Sequence, residues 1–194
     1  MNYHFIIKKL FKCKIKLRLP KKNKVLIYDE IGSELFFKFF KREQCEIFHT
    51  RLEEINIPIL LLSILNLLKM SLSKSYIYEY IRYVDPKLII TFNDTRISIY
   101  KLKNTFKNIN IMVIQNGLRS SVFRVFKNIK KSDNLFVDYF LVMDEIHKKS
   151  FSRFVGGNII VTGSIKNNLI PIEKKNKDIK SLLFVSQFMN REYM

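Results

Sequence analysis

The chain has 194 residues, a length that suits one domain or one domain with part of another. Hydrophobic residues make up 47% of it, enough for a packed core, which excludes an intrinsically disordered protein. The formal net charge of +18 favours anionic partners such as phosphates, nucleotides, acidic lipid or nucleic acid. The lysine excess equally fits a biased composition, because the chain has no alanine and abundant Ile, Lys, Asn and Phe.

The cysteines, histidines and apolar runs exclude several kinds of site. Cys13 and Cys45 have neither metal-site nor redox-pair spacing, and two thiols fit a reducing cytoplasm. The histidines are scattered, so no metal site is predicted. The most apolar run, residues 55–68, is too short to span a bilayer, and the start lacks the features of a signal peptide. We therefore expect a cytoplasmic protein.

The first segment, residues 1–23, alternates basic and apolar residues. This pattern has two interpretations. One is an amphipathic helix lying on an anionic membrane surface, which would make the protein a peripheral one on the inner face of the cytoplasmic membrane. The other is a lead-in arm packed on the domain that follows.

Apolar strands alternate with helices over residues 24–170, which predicts one Rossmann-like domain of the α/β class, a parallel sheet with helices on both faces. Strands are predicted over residues 24–28, 45–49, 57–61, 87–92, 110–114, 138–143 and 158–162. Helices are predicted over residues 34–42, 63–83, 95–106 and 144–154, with a basic loop or short helix over 118–134. Ser33 is a candidate cap, the second helix has a break near 71–75, and Asp85-Pro86 ends it.

The last part of the chain reads differently. Residues 171–180 form a charged linker, and residues 182–186 (LLFVS) predict one more strand with no helix after it. We interpret residues 181–194 as the first strand of a truncated second domain.

Four predicted strands end in polar pairs: Asp29-Glu30, Asn93-Asp94, Gln115-Asn116 and Gly163-Ser164. Ligands of open α/β sheets bind beyond the carboxyl ends of the strands, so these pairs predict a site at one edge of the sheet. Gly156-Gly157 precedes a strand and is interpreted as a turn. Neither a Walker A sequence nor a GxGxxG sequence is present.

Individual residues of this edge have competing interpretations. The candidates for a general base are Asp29, Glu30, His49 and Asp94, although Asp94 also suits a helix cap. Arg119, like Arg124, either clamps a phosphate or carboxylate or belongs to a solvated basic loop. In Asn116-Gly117, Gly117 permits a positive φ; the alternative is an ordinary Asn-Gly turn.

Four segments together carry a resemblance to a known family. They are IQNGLR (114–119), VDYFLVMDEIHKKSF (137–151), VTGSIKNN (161–168) and LLFVSQF (182–188). In these segments the chain resembles the surface carbohydrate (polysaccharide) biosynthesis proteins of bacteria. That family has a two-domain GT-B glycosyltransferase architecture and is distantly similar to the CDP-glycerol glycerophosphotransferases.

The resemblance implies that this chain is the N-terminal, acceptor-side domain of an enzyme of lipopolysaccharide or other surface polysaccharide synthesis. A C-terminal domain would carry most of the site for a nucleotide-activated donor, and the acceptor would be a glycan or lipid-linked molecule. Neither a metal nor a cofactor is expected, since GT-B enzymes stabilise the departing phosphate with helix N-termini and cationic or amide donors. With Asn93 at the strand edge, the implied substrate-binding residues are Gln115, Asn116, Gly117 and Arg119 at the cleft, and Gly163, Ser164 and Asn167 on its hinge side.

Two other functions stay open at this point. The chain could be a basic, non-catalytic module that binds anionic membrane or, less favoured, nucleic acid, an idea supported by charge alone. It could also be the inactive remnant of a split gene. If the enzyme interpretation is correct, the isolated chain should fold yet bind donors weakly and show no turnover.

Overall fold

The computed structural model describes residues 13–51, 53–65, 70–119, 122–129 and 133–168. Its centre is a six-stranded parallel sheet of order β3-β2-β5-β6-β7-β8, and a separate pair of parallel strands joins β1 to β4. The strands are β1 (Lys14–Lys16), β2 (Val25–Tyr28), β3 (Cys45–Phe48), β4 (Glu54–Asn56), β5 (Leu88–Thr91), β6 (Asn110–Ile114), β7 (Phe136–Val142) and β8 (Gly156–Val161).

The helices are mostly short and flank this sheet. They are α1 (Ser33–Phe36), α2 (Ile57–Ile64), α3 (Leu72–Val84), α4 (Ile97–Tyr100), α5 (Phe123–Phe126), α6 (Glu145–Phe151) and α7 (Ile165–Asn168), with 3₁₀ turns at Arg42–Gln44 and Leu102–Asn104. The predicted α/β, Rossmann-like fold is confirmed. The predicted linker 171–180, the predicted strand 182–186 and residues 1–12 of the basic arm lie outside the described residues.

The strands have apolar residues on both faces, and the two faces form two cores. In β2, Leu26 and Tyr28 belong to the larger core, while Val25 and Ile27 belong to the smaller one. Successive side chains of a strand point to opposite faces, so a continuous apolar run is what a strand covered on both sides requires. This burial positions the strand ends, and hence the polar residues that follow them.

The segment around residue 57 is where the prediction was wrong. Residues 57–61 were predicted as a strand, but they belong to helix α2, and the strand is β4 just before it. The Asn56 side chain accepts a hydrogen bond from the Ile59 backbone N–H at 3.2 Å, which is an N-cap, and Pro58 fits the first turn. These two local signals outweigh the apolar run, which suits a buried helix as well as a strand.

Two predicted helices are shorter than expected. Residues 34–42 form only the single turn of α1, and Gly32 rather than Ser33 is its N-cap residue. Phe36 stacks on Phe92 at a ring separation of 4.7 Å, and this packing fixes the turn on the sheet. Residues 95–106 divide into α4 and a 3₁₀ turn. In contrast, α3 ends at Asp85, in the left-handed conformation, directly before Pro86 as predicted.

Gly156 and Gly157 were predicted as a turn, but they are the first residues of β8. The pairing of β7 with β8 is irregular there, since its register shifts between Phe136 and Tyr139. Gly157 has a φ of 120°, and a Cβ atom at this position would lie 1.7 Å from the Val137 carbonyl oxygen. The position therefore requires glycine because the neighbouring backbone comes too close for any side chain.

Candidate functional site

A small cleft lies at the carboxyl edge of the parallel sheet, beyond the ends of β2, β5 and β6. Its volume is about 100 Å³, the size of a small polar group rather than of a whole nucleotide. The residues that line it are Asp29, Ile31, Arg51, Phe92, Asn93, Asp94, Thr95, Asn116 and Arg119. Five residues of the sequence-derived site thus share one concavity: Asp29, Asn93, Asp94, Asn116 and Arg119.

Asp29 is the central hydrogen-bond acceptor on one side of the cleft. Its buried carboxylate accepts hydrogen bonds from the Ile31 backbone N–H (3.2 Å), Thr50 Oγ1 (3.0 Å), Arg51 Nη2 (3.1 Å) and Asn93 Nδ2 (3.0 Å). Its φ of 99° is unusual for a residue with a side chain and marks local strain. Asp29 therefore orients Arg51 and Asn93, and the same bonds occupy the oxygens that a general base would use.

Asp94 holds the other side through a bidentate ion pair. Arg119 donates from Nε and Nη2 to the two Asp94 oxygens at 3.2 and 2.5 Å. Burial raises the pKa of Asp94 above its usual value, and the Arg119 guanidinium opposes that rise. The alternative of a helix cap is wrong for Asp94, because Arg96 is the N-cap residue of α4 and no side chain caps that helix.

The backbone of Arg119 is fixed by a histidine from helix α6. The Arg119 N–H donates to His147 Nε2 at 3.1 Å, so the ring proton lies on Nδ1, which faces the Asp144 carboxylate at 2.8 Å. Asp144 also accepts from the His147 backbone N–H at 2.7 Å, and these bonds lower the pKa of Asp144. The chain from Asp144 through His147 thus holds Arg119 in place beside Asp94.

Gln115 and Gly117 lie at this edge but do not line the cleft. Gln115 is buried, accepting from the Met143 N–H and donating to the Gly117 carbonyl oxygen, each at 2.9 Å, so it ties β6 to the end of β7. Gly117 does not adopt the positive φ that its sequence permits, and a Cβ atom there would meet no atom within 4 Å. A conformational need for glycine is therefore absent at this position.

Lys166 is the residue through which the predicted hinge-side segment, with Gly163, Ser164 and Asn167, contacts a residue of the cleft. Its Nζ atom lies 2.6 Å from Asn116 Oδ1 and 4.9 Å from the centre of the Phe92 ring. Ser164 Oγ accepts from the Asn167 N–H at 3.3 Å, closing the first turn of α7, and Gly163 has a φ of 74°. The residues that line the cleft include none of Gly163, Ser164, Lys166 and Asn167.

Glu30 and His49 form a separate pair on the same edge. His49 Nδ1 lies 3.1 Å from Glu30 Oε2 without forming a hydrogen bond. His49 lines two cavities of about 920 and 370 Å³, which lie on either side of the β3 end and do not include the cleft residues Asp94 and Asn116. Arg124 is exposed on α5 and is likewise absent from the cleft lining. Of the four candidate bases, Asp29 and Asp94 accept hydrogen bonds from other side chains, whereas no side chain of the described residues holds His49 or Glu30 by a hydrogen bond.

The cleft lining combines two cations with two carboxylates. Arg51 is paired with Asp29 and Arg119 with Asp94, and each guanidinium has N–H groups beyond those that bind its carboxylate. Lys166 contacts Asn116 beside the cleft. Arg51, His147 and Lys166 were not singled out from the sequence. The contact between Asp144 and His147 had a local signal, because Asp144 is a typical helix-cap residue three positions before His147. The contact between Arg51 and Asp29 had none, because no residue adjacent to Arg51 indicates it.

Two further observations concern membranes and metals. Over the part of the chain that the structure describes, no helix has the length and apolar character needed to cross a membrane. Within the same residues, no group of three or more His, Cys, Asp or Glu side chains is arranged to hold a metal ion.

The fold and the cleft define an α/β protein with a phosphate-sized polar site at the carboxyl edge of a parallel sheet. Residues 112–194 match the model of a family described as "putative O-antigen biosynthesis protein". This region includes Asn116, Arg119 and Lys166 of the site. No curated protein and no solved structure matches the chain. The match supports a role in surface polysaccharide biosynthesis.

Proposed function

We propose that this chain is the acceptor-side domain of a GT-B-type glycosyltransferase-like enzyme of surface polysaccharide biosynthesis. Such an enzyme transfers a sugar, or a sugar-like phosphorylated unit, from a nucleotide-activated donor. The observation that carries the proposal is the cleft, in which Arg51 and Arg119 are each oriented by a buried carboxylate. The match of residues 112–194 to an O-antigen biosynthesis family supports the pathway.

The chemistry assigned to the cleft is stabilisation of the donor phosphate as it departs. Fixed guanidinium and amide donors serve a developing negative charge best when they need not reorganise during the reaction. Arg51 and Asn93 are both bonded to Asp29, and Arg119 is held by Asp94 and His147. A volume of about 100 Å³ suits one phosphoryl group, so the rest of the donor would contact a second domain.

For the base that deprotonates the acceptor hydroxyl, we propose His49, with the Glu30 carboxylate beside it. Asp29 and Asp94 already accept bonds from the arginines, whereas His49 Nδ1 lies 3.1 Å from the half-exposed Glu30 carboxylate. A carboxylate beside an imidazole orients the ring and stabilises its charged form after proton transfer. Thr50, the next residue, bonds Asp29, which connects the pair to the cleft.

Titration with pyrophosphate tests this assignment, using amide chemical shifts of the full chain as the measurement. We expect the largest shifts at cleft residues such as Asn93 and Asn116. Arg51→Gln should weaken binding about tenfold, since a hydrogen bond to a charged group contributes ~1.5–3 kcal/mol. Asp29 keeps three other donors in this variant, so the fold should persist.

Arg124→Gln, an exposed arginine outside the cleft, is the matched control and should leave binding unchanged. Shifts spread evenly over the basic surface, or equal binding by the two variants, would remove the proposed phosphate site. Intact donors, tested as a panel of nucleotide sugars and CDP-glycerol, should bind weakly. Tight donor binding would contradict an acceptor-side role for this chain.

A further inference from the structure

Helix α2 carries a cluster of exposed aliphatic side chains. Ile59 and Ser63 are buried against the domain, whereas Leu61 is 60% exposed and Leu65, the C-cap residue, is 79% exposed. Leu62, Ile64 and the nearby Leu72 are also exposed. With 3.6 residues per turn, residues 61, 62, 64 and 65 cover an arc of roughly 160° on the side opposite the buried residues. Such a contiguous aliphatic face marks an interaction surface, unlike scattered single residues.

The basic arm beside α2 has the same mixture of apolar and charged groups. Ile15, Leu17 and Leu19 are exposed, and they alternate with Lys14, Lys16 and Arg18. Lys16 is paired with Glu54 of β4 at 3.4 Å, which leaves Lys14 and Arg18 as the arm's cations outside that ion pair. Strand β1 of the arm pairs with β4, the strand that leads directly into α2. The aliphatic face and the cationic arm are therefore adjacent in the fold.

One buried side chain fixes the arm relative to the helix. Asn56 caps α2 by accepting from the Ile59 N–H, and its amide donates to the Arg18 carbonyl oxygen at 2.7 Å. The Asn56 backbone N–H is satisfied by the Tyr76 hydroxyl at 2.9 Å. We refer to Leu61, Leu62, Ile64, Leu65 and Leu72 together with residues 14–19 as the α2–arm surface.

We infer that the α2–arm surface docks on an anionic lipid membrane. Leucine side chains that enter the acyl boundary leave water, and lysine and arginine beside them meet the lipid phosphates. A second copy of the chain would bring an equally positive surface against these cations, so charge complementarity favours lipid over self-association. The protein would lie on the membrane rather than cross it.

Docking in this way would bring the candidate site near the lipid surface. Leu60 of α2 lines the cavity of about 370 Å³ together with His49 and Thr50 at the carboxyl end of β3. The membrane-facing helix is therefore a direct neighbour of the sheet edge. The inference itself does not depend on the proposed activity, because it rests on exposure, charge and the Asn56 bonds.

Co-sedimentation with vesicles tests the inference. The full chain should bind vesicles of phosphatidylcholine mixed with phosphatidylglycerol, bind pure phosphatidylcholine far less, and dissociate as salt is raised. Leu61→Ser with Leu65→Ser should weaken binding more than about tenfold, since two leucine side chains that enter the membrane are lost. Lys14→Gln with Arg18→Gln should weaken binding to the anionic vesicles and reduce its salt dependence.

The matched control removes equally exposed aliphatic residues outside α2 and the arm, one in the loop after β6 and one on α6. Leu118→Ser with Ile146→Ser changes side chains that are 75% and 77% exposed, and binding should be unchanged. A cooperative melt by circular dichroism verifies that each variant is folded. Equal vesicle binding by the α2 variant and the parent would overturn the inference. The inference would also be overturned if light scattering showed the parent to be a dimer and the α2 variant a monomer, while both bound vesicles. The surface would then bind a second copy of the chain.

Discussion

At the scale of single residues, the most informative group is Asp94, a buried carboxylate whose charge is balanced by one guanidinium. Burial raises the pKa of Asp94, and Arg119 works against that rise. Removing a single partner of such a pair leaves an uncompensated buried charge, which costs more than the pair itself contributes. Arg119 is therefore important for stability as well as for the proposed phosphate contact, and an alanine variant would confound the two roles.

We predict that Arg119→Gln lowers the free energy of unfolding by about 3 kcal/mol at neutral pH. Without Arg119 the pKa of Asp94 in the folded state rises further above its unfolded value. The folded variant then binds a proton where the unfolded chain does not, so its stability falls as the pH rises through the carboxyl range. The loss of unfolding free energy relative to the parent should be smallest at acid pH, where Asp94 is neutral.

Urea unfolding of Arg119→Gln and the parent across this pH range measures the effect. Asp94→Asn with Arg119→Gln keeps a neutral hydrogen-bonding pair and should recover most of the stability at neutral pH. Arg124→Gln controls for the loss of a surface charge. A deficit that is independent of pH would mean that Asp94 is not the group left unpaired.

The residues of the site differ in how far the sequence predicts them. Asp29, Asn93, Asp94 and Asn116 follow buried strands directly, so parallel pairing alone brings them to one edge. The partners that fix them are distant in sequence: Arg51 reaches Asp29 and His147 reaches Arg119. No local pattern encodes a contact that depends on where two loops meet, which is why these partners were missed.

At the scale of elements, the six strands of the central sheet were predictable, whereas β1, β4 and the short helices were not. Runs such as residues 110–114 are apolar on both faces and have one stable placement, inside the sheet. Residues 57–61 are equally apolar, yet Asn56 and Pro58 start a helix there. Helices as short as α1 and α4 have little propensity of their own, so packing on the sheet determines where they end.

Two glycines provide a matched prediction about these elements. Gly157→Ala should destabilise the protein by more than about 3 kcal/mol, the upper range for backbone strain, because its Cβ atom would also overlap the Val137 carbonyl oxygen. Gly117→Ala meets open space without a positive φ and should be neutral or stabilise by roughly 0.4–1 kcal/mol. Thermal and urea unfolding of the two variants measures the contrast. Equal effects would contradict the close approach of the Val137 carbonyl oxygen to Gly157 or the open space around Gly117.

At the scale of the whole molecule, the positive charge of the described residues is not confined to one region. Exposed lysine and arginine occur on the arm, after α1, on α3 and on α6, as at Arg18, Lys38, Lys74 and Lys149. This distribution over many described elements is typical of a biased composition. Charge alone therefore does not distinguish the α2–arm surface. Its distinguishing feature is that leucines lie next to the cations.

This distribution leads to a prediction for nucleic acid, the less favoured partner class. Duplex DNA should bind weakly and without a dedicated site, because phosphate contacts made by dispersed cations are interchangeable. Lys14→Gln with Arg18→Gln and Lys148→Gln with Lys149→Gln should then weaken DNA binding by the same small factor, and high salt should abolish it. Fluorescence anisotropy of a labelled duplex across a salt series provides the measurement.

The same two variants should differ on anionic vesicles, where only the arm pair lies beside the leucines. If one pair alone abolished DNA binding, the charge would instead form a specific nucleic-acid site.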